Sequence, residues 1–440
     1  MLNQYMSIYG GEPMPSLSES IVDNVGESYI STYLKGKGHT QPDEKKGQSL
    51  KYWVDDLLKK QKIDIDDFEG FLFDELFFGK RKTIRMYRLE NTNKYKLPLD
   101  WENSLAEYYG LGSIDFCNIL KTIPNEKEAR KIAAIRSEEN SKGQLVKIRI
   151  LFVFYIETNE DRNIKSTTSY IPVEINFQSK TMIIKGWTRQ YVDYDSYKAG
   201  KLIQHVKDLL EIEFKVSARR YGITHKKVLF NMSRSLIYEV YSKVPAYNKI
   251  ENMKDPIRSF MEETYKNLSL WNIEENDNGE QILPKEVLDF EGELKNVLES
   301  LAISDHFFNR SYDEIWEMGL EAIISKIKFN DKEEVLTSLK TGNTDAPIFC
   351  TKTFMSLKTR IQETERIESL WIAMDREKGQ RGHLNVRFDA SDQEYLEILI
   401  SNYGMRFNEA DMSLILRMYK KYESKSNQED TGKDKVAVSQ

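Results

Sequence analysis

Three neighbouring segments decide the fold: Leu145-Val146-Lys147-Ile148-Arg149-Ile150-Leu151-Phe152-Val153-Phe154-Tyr155-Ile156, Tyr170-Ile171-Pro172-Val173-Glu174-Ile175-Asn176-Phe177 and Thr181-Met182-Ile183-Ile184-Lys185-Gly186-Trp187. The first is apolar and rich in β-branched residues. The second places Ile171, Val173, Ile175 and Phe177 at every other position, and the third follows after only Gln178-Ser179-Lys180. Alternation with a period of two is the mark of a strand, and so short a link joins the last two as a hairpin. The three together predict an antiparallel meander. No helical segment separates the last two, so the class is α+β rather than a doubly wound parallel sheet.

Working outward, helices flank this sheet. Ser49 is positioned to cap a helix that buries Trp53, Leu57 and Leu58. Residues 63–79 combine an acidic start (Asp64, Asp66, Asp67, Glu69) with Phe68, Phe71, Phe73, Phe77 and Phe78, and Gly79 ends them. Before them, Ile21, Val25, Tyr29, Ile30 and Tyr33 predict one short docked helix in a loosely ordered stretch. Residues 196–340 read as mainly helical, with helices over Pro256–Leu270 and Tyr312–Ile327 and an exposed acidic connection over 272–286. A small α+β unit follows over 341–422. It is read as a strand at Ile348–Cys350, a helix over Phe354–Trp371, a strand at Leu384–Phe388, and helices over Asp392–Ser401 and Asn408–Tyr419. The expected division is 1–48 loosely ordered, 49–195 α+β with the antiparallel sheet, 196–340 helical, 341–422 α+β, and 423–440 a disordered tail.

The totals restrict the function classes. The chain has 440 residues, 40 % of them hydrophobic, and a formal charge of −6, so any polyanion site must be local. Cys117 and Cys350 lie far apart, which fits a reducing, cytoplasmic compartment. The five histidines are scattered and offer no zinc spacing. The longest apolar run, Ile148–Ile156, is too short to span a bilayer, and Met1–Gly11 lacks the pattern of a secretory signal; no membrane partner is expected. Composition rich in Lys, Asn and Ile is compatible with an AT-rich bacterial or phage source, and with it a mobile-element or antiviral-defence setting.

Against that acidic background, residues 215–235 carry six cations (Lys215, Arg219, Arg220, Lys226, Lys227, Arg234) and no carboxylate. Such a block needs an anionic partner or an acidic face of the same fold. Ala218 to Leu229 resembles the turn of a helix-turn-helix: a small Ala, Gly222 four residues on, Thr224 as cap, and His225, Lys226 and Lys227 at the start of the second helix. Ser217 and Asn231 depart from the apolar residues that pattern expects. The competing structural reading is a solvated helix face or a tight inter-helix turn. A second strip, 80–96, holds seven cations against Glu90 alone, Arg85 and Arg88 among them, interleaved with Tyr87 and Tyr95. Arginine and tyrosine so mixed suit base stacking and phosphate contact, although pairing with the acidic segment just upstream would hide both.

The enzymatic alternative rests on Leu210–Ser217. Strict alternation there predicts a strand with Glu211, Glu213, Lys215 and Ser217 on one side. Glu213-Phe214-Lys215 resembles the Glu-x-Lys half of a PD-(D/E)xK nuclease site, which implies two carboxylates holding Mg²⁺ and a lysine beside the attacked phosphate. Asp193 and Asp195 are the nearest partners for Glu213. No cofactor is expected unless this alternative holds. The expected function is therefore a non-enzymatic nucleic-acid-associated or regulatory protein using Arg219, Arg220, Lys226, Lys227 and Arg234 with Arg85 and Arg88. The alternatives are a Mg-dependent nuclease using Glu213 and Lys215, or a protein–protein interaction subunit docking through its acidic and aromatic N-terminal segments.

Overall fold

The computed structural model describes residues 15–40, 49–80, 82–90, 95–160, 163–189, 191–192, 194–308, 310–330, 336–340, 347–376, 382–402 and 405–437; for 160 and 425–437 it describes the backbone alone. The protein is a multidomain α+β chain, and it divides into two compact units, 1–222 with 392–416, and 223–391 with 417–440.

The first unit opens with helices α1 (Glu19–Val25), α2 (Glu27–Gly36), α3 (Leu50–Lys59) and α4 (Ile65–Asp74). The single helix expected over 21–33 is two, because Gly26 between them takes φ 107°, a conformation that interrupts the helical path. After α4 the chain widens into a π-turn, Glu75–Gly79, and passes into β1 (Thr83–Leu89). Then come α5 (Pro98–Tyr109), β2 (Phe116–Cys117), β3 (Arg130–Glu139), β4 (Leu145–Glu160), β5 (Asn163–Asn176), β6 (Thr181–Gly186), α6 (Ala199–Ile212) and β7 (Ala218–Arg219). The second unit supplies α7 (Thr224–Ser242), α8 (Pro245–Asn248), α9 (Lys254–Leu268), a small hairpin of β8 (Glu274–Glu275) and β9 (Gln281–Ile282), α10 (Phe290–Phe307), α11 (Tyr312–Trp316), β10 (Ala322–Asn330), β11 (Leu336–Lys340), α12 (Lys352–Thr364), β12 (Ser369–Asp375) and β13 (His383–Asp389). The chain returns to the first unit with β14 (Leu396–Ile400) and the start of α13 (Glu409–Ala437), whose residues from Arg417 belong to the second. The expected tail, 423–440, coincides with the end of α13 and falls largely outside the described side chains.

Within the first unit the strand order is β14-β1-β6-β5-β4-β3-β2, with β7 paired beside β1. The expected meander is its centre: β4 pairs antiparallel with β5 and β5 with β6. On β4, Ile148, Ile150, Phe152, Phe154 and Ile156 join the core beneath α5 and α6 with Trp101, Leu202, Val206, Leu210 and Phe214. The intervening Leu151 and Val153 are also fully buried. Burial on both faces is why this strand reads as a continuous apolar run rather than an alternating one. On the face away from α6, Arg149 is wedged between Phe77 and Phe78 of the π-turn and the carboxylates of Glu174 and Glu409.

In the second unit the strand order is β11-β10-β12-β13. Helix α7 packs against β10 and β12, burying Val228, Leu229, Met232, Leu236 and Val240. Four sequence expectations fail here and at the return. The helix expected over Tyr312–Ile327 stops at Trp316, and after Gly319 at φ 67° the residues Ala322–Asn330 form β10. The helix expected over Phe354–Trp371 ends at Thr364, and β12 begins at Ser369. Ile348–Cys350 is a single 3₁₀ turn. The helix expected over Asp392–Ser401 is β14, in which Leu396, Ile398 and Ile400 alternate inward. In the three helix cases an apolar run too short to separate a period of 3.6 from a period of 2 was resolved by sheet pairing, whereas Ile348–Cys350 found no strand partner among the described residues.

Candidate nucleic-acid interface

The boundary between the two units falls between Gly222 and Ile223, inside the basic block, so its six cations are shared out. On the first unit, β7 runs antiparallel to the end of β1, with Arg88 opposite Arg219 and Leu89 opposite Ala218. The Glu90 amide donates to the Ser217 carbonyl at 3.1 Å and extends that pairing. Beyond β7, the amides of Tyr221 and Gly222 both donate to the Gln393 carbonyl, at 2.8 and 3.2 Å, which fixes the loop against the segment before β14. Thus Arg88 of the first strip and Arg219 of the second, far apart in sequence, face each other across one strand pair.

Each described β1 arginine lies on a tyrosine ring, but on opposite faces of the strand: Arg85 shares the α6 face with Tyr87 and Leu89, and Arg88, three positions on, points the other way with Arg219. The Arg88 guanidinium carbon is 4.6 Å from the Tyr221 centroid, and that of Arg85 is 4.3 Å from the Tyr395 centroid. Arg85 also donates to the Gly200 carbonyl at 3.2 Å. Such contacts hold a guanidinium flat and leave its edge for further hydrogen bonds. Arg219 is exposed, and Arg220 is 75 % exposed with Glu394 3.6 Å away. Carboxylates border the surface as well: Glu397 stands opposite Arg85 in the β1–β14 register, and Asp392 lies near Tyr87 and Tyr395. Burial pushes the Tyr395 phenol up while neighbouring Arg85 opposes the shift, so Tyr395 is neutral through the physiological range.

Four carboxylates of the acidic segment are engaged elsewhere. Asp67 pairs with Lys37 at 2.6 Å, Asp74 with Arg136 at 3.2 Å, Glu75 with Arg406, and Glu69 accepts from the Leu120 amide at 3.0 Å. Its aromatic stripe is core: Phe68, Phe73 and Phe77 are fully buried, which removes them as a docking surface. Of the rest of the 80–96 strip, Lys82 is buried, while Arg81 and Lys94 lie outside the described residues.

On the second unit, Lys226 is bound to Glu368 at 2.7 Å with both side chains mostly buried, and Lys227 is half-buried. Thr224 is the first residue of α7 rather than its cap, and Ile223 precedes it without a side-chain cap bond. His225 is fully buried. The expected recognition-helix start is therefore packed inward, and Ala218 sits in a strand rather than between two helices; the turn resemblance does not hold as geometry. Arg234 is exposed and lines a cavity of about 140 Å³ with Tyr238, Tyr241 and Phe354 above the Glu299–Lys358 ion pair.

The strand expected over Leu210–Ser217 is also corrected. Residues to Ile212 complete α6, and Lys215 takes φ 55°, so Glu213 and Lys215 do not share a strand face. Glu213 is 8 % exposed and accepts hydrogen bonds from the Tyr109 hydroxyl at 2.7 Å and Arg130 at 3.0 Å. Lys215 is exposed and donates to the Ile212 carbonyl. Asp195 is in a 3₁₀ turn and paired with Lys198 at 2.7 Å; Asp193 lies outside the described residues. Among the described residues no three of His, Cys, Asp and Glu converge on a common point that would hold a metal. Nor, among them, is any helix long and apolar enough to cross a membrane.

Sequence reasoning missed the role of Tyr221 and Tyr395. The only signal available was Tyr221 directly after Arg219-Arg220; the pairing of Arg85 with Tyr395 spans 310 positions and left no local trace. Neither a protein-family model nor a curated protein matches this chain.

Proposed function

We propose that this protein is a non-enzymatic, cytoplasmic nucleic-acid-associated protein whose first unit contacts a phosphate backbone through Arg219 and Arg220, with Arg88 beside them; Arg85, on the other face of β1, is left out of that contact. The observation that carries this reading is the placement of Arg88 opposite the exposed Arg219, with Arg88 stacked on Tyr221. Like charges directly opposite on paired strands destabilise a sheet by a few tenths of a kcal/mol or more. A phosphate bridging them reverses the sign. Tyr221 is 3 % exposed, so it holds Arg88 in place rather than stacking on a base, and the reading is one of phosphate contact. Fluorescence anisotropy of a labelled single-stranded oligonucleotide across a salt series tests the reading: affinity should fall steeply with salt. Salt-independent or absent binding refutes it.

A second reading, membership of a larger assembly, is favoured by the apolar surface of the second unit, where Trp271 is 98 % exposed and Phe260 and Leu301 are more than half exposed. A partner retained through that surface would co-elute with the wild type and be lost on Phe260→Ser/Leu301→Ser. The nuclease alternative gains no support from the position of Glu213.

A further inference from the structure

Helix α6 leaves a groove of about 600 Å³ against β3 and β4, lined by Arg130, Phe154, Tyr155, Tyr197, Lys201 and His205. The lining contains three basic side chains, three aromatic rings and no carboxylate. Its volume is that of a site for a small organic ligand. The basic groups are set by their surroundings. Arg130 is held from behind by Glu213 at 3.0 Å, and Glu213 is held in turn by the Tyr109 hydroxyl. His205 meets the Phe154 ring edge-on, with centroids 5.8 Å apart. Lys201 is exposed in the first turn of α6, a 14-residue helix with no side-chain cap at its start, so the positive end of its dipole reinforces the same field. Of the carboxylates around the groove, Asp195 is occupied by Lys198, and Glu157 and Glu126 are engaged by the Tyr155 hydroxyl at 3.1 and 3.5 Å.

We propose that this groove binds a phosphorylated aromatic group, one nucleotide unit, with its ring against Phe154, Tyr155 and Tyr197 and its phosphate on Lys201, Arg130 and His205. A bare anion would leave three aromatic rings without a role, and an uncharged apolar ligand would desolvate the cations Arg130 and Lys201 without compensation; burial and neighbouring Arg130 pull the His205 pKa down, so it meets the phosphate as a neutral hydrogen-bond donor. The nucleotide satisfies both halves of the lining. This inference goes beyond the arginine surface of β1 and β7 and stands independently of it. Glu213 is then a positioning residue for Arg130.

Isothermal titration of the full chain with adenosine monophosphate, uridine monophosphate, the two nucleosides and inorganic phosphate tests the proposal. The expected result is that each nucleotide binds about tenfold or more tightly than its nucleoside and than phosphate alone. Lys201→Gln, at an exposed position, should weaken the nucleotides by about tenfold and leave the nucleosides unchanged; Arg130→Gln should do the same wherever it remains folded. Arg219→Glu/Arg220→Glu should leave nucleotide binding intact, which separates failure here from failure of the strand-binding surface. A single-stranded oligonucleotide that displaces the nucleotide identifies the ligand as part of a strand, and one that does not identifies a free nucleotide. No binding at millimolar nucleotide, phosphate binding as tight as nucleotide, or indifference to Lys201→Gln overturns the proposal.

Discussion

Arg88 and Arg219 stand directly across from each other in the antiparallel pairing of β1 with β7, and the Tyr221 ring covers the guanidinium of Arg88. Two cations at facing positions repel, and a fold keeps such a pair where something else offsets the cost. The ring offsets part of it. Arg219 and Arg220 project from that pairing as exposed cations, and the proposed polyanion contact is placed on them rather than along the whole basic block.

Glu213→Gln should destabilise the first unit by about 1.5–3 kcal/mol, because it removes a charge-assisted bond and leaves the mostly buried Arg130 without its counter-charge. Urea denaturation of the variant checks this. The variant should retain oligonucleotide binding at the arginine surface. If instead Glu213→Gln keeps full stability and abolishes a Mg²⁺-dependent strand cleavage shown by the wild type, Glu213 is catalytic.

Lys185 is 3 % exposed, its amine 4.4 and 4.2 Å from the Phe77 and Phe78 rings, and burial pulls its pKa down to about 7 against the attraction of Glu174 and Glu409, with Arg149 adding to the depression. Unfolded, a lysine titrates near 10.4. Between those values the unfolded chain binds the extra proton, so this residue makes stability rise with pH, by up to about 1.4 kcal/mol per pH unit, and its penalty is complete below about pH 7. Lys185→Met should therefore be more stable than the wild type at pH 7, and the gap should narrow as pH approaches 10. A gap that stays constant over that range contradicts a buried neutral amine. Groups far from Lys185, the two thiols included, cancel in the comparison, whereas Lys82, whose pKa Lys185 helps to pull down, is eased by the same substitution.

Burial pushes the thiols of Cys117 and Cys350 up to about 12, with Glu69 adding to the shift at Cys117. Both cysteines are unbridged. At pH 8 the native protein should react with iodoacetamide at well under the rate of the urea-unfolded chain, since the thiolate is the nucleophile. Mass spectrometry of labelled peptides resolves the two sites, and equal native and unfolded rates would contradict the burial.

Much of the sheet was legible because its centre obeys simple rules. Ile171, Val173, Ile175 and Phe177 alternate, and the three-residue link to Thr181 leaves one geometry for the hairpin. The α7 face was legible from Leu229, Leu236 and Val240 with Pro245 as its stop. Strand β1 was not, because Arg85 and Arg88 give it the look of a charged strip, and the tyrosine rings and the Gly200 carbonyl that receive them come from distant parts of the chain. Neither was β3, which carries Arg130, Lys131 and Arg136 on its course. The segment after α6 misled for the opposite reason: Leu210 to Ser217 alternates perfectly, yet the apolar members Leu210, Phe214 and Val216 serve a helix end and a turn that bury them in the same core. The groove beside α6 draws on 130, 154–155 and 197–205, a constellation that no local pattern encodes.

Anisotropy titrations of a labelled single-stranded oligonucleotide against the wild type, Arg219→Glu/Arg220→Glu and Arg234→Gln test the central claim most directly. All three positions are exposed, so folding is expected to survive each change. The expected result is a loss of affinity of tenfold or more for the double variant, with a shallower salt dependence, and no change for Arg234→Gln. Equal affinity for the wild type and the double variant, or an equal loss at Arg234, would contradict the placement of the polyanion contact on the first unit.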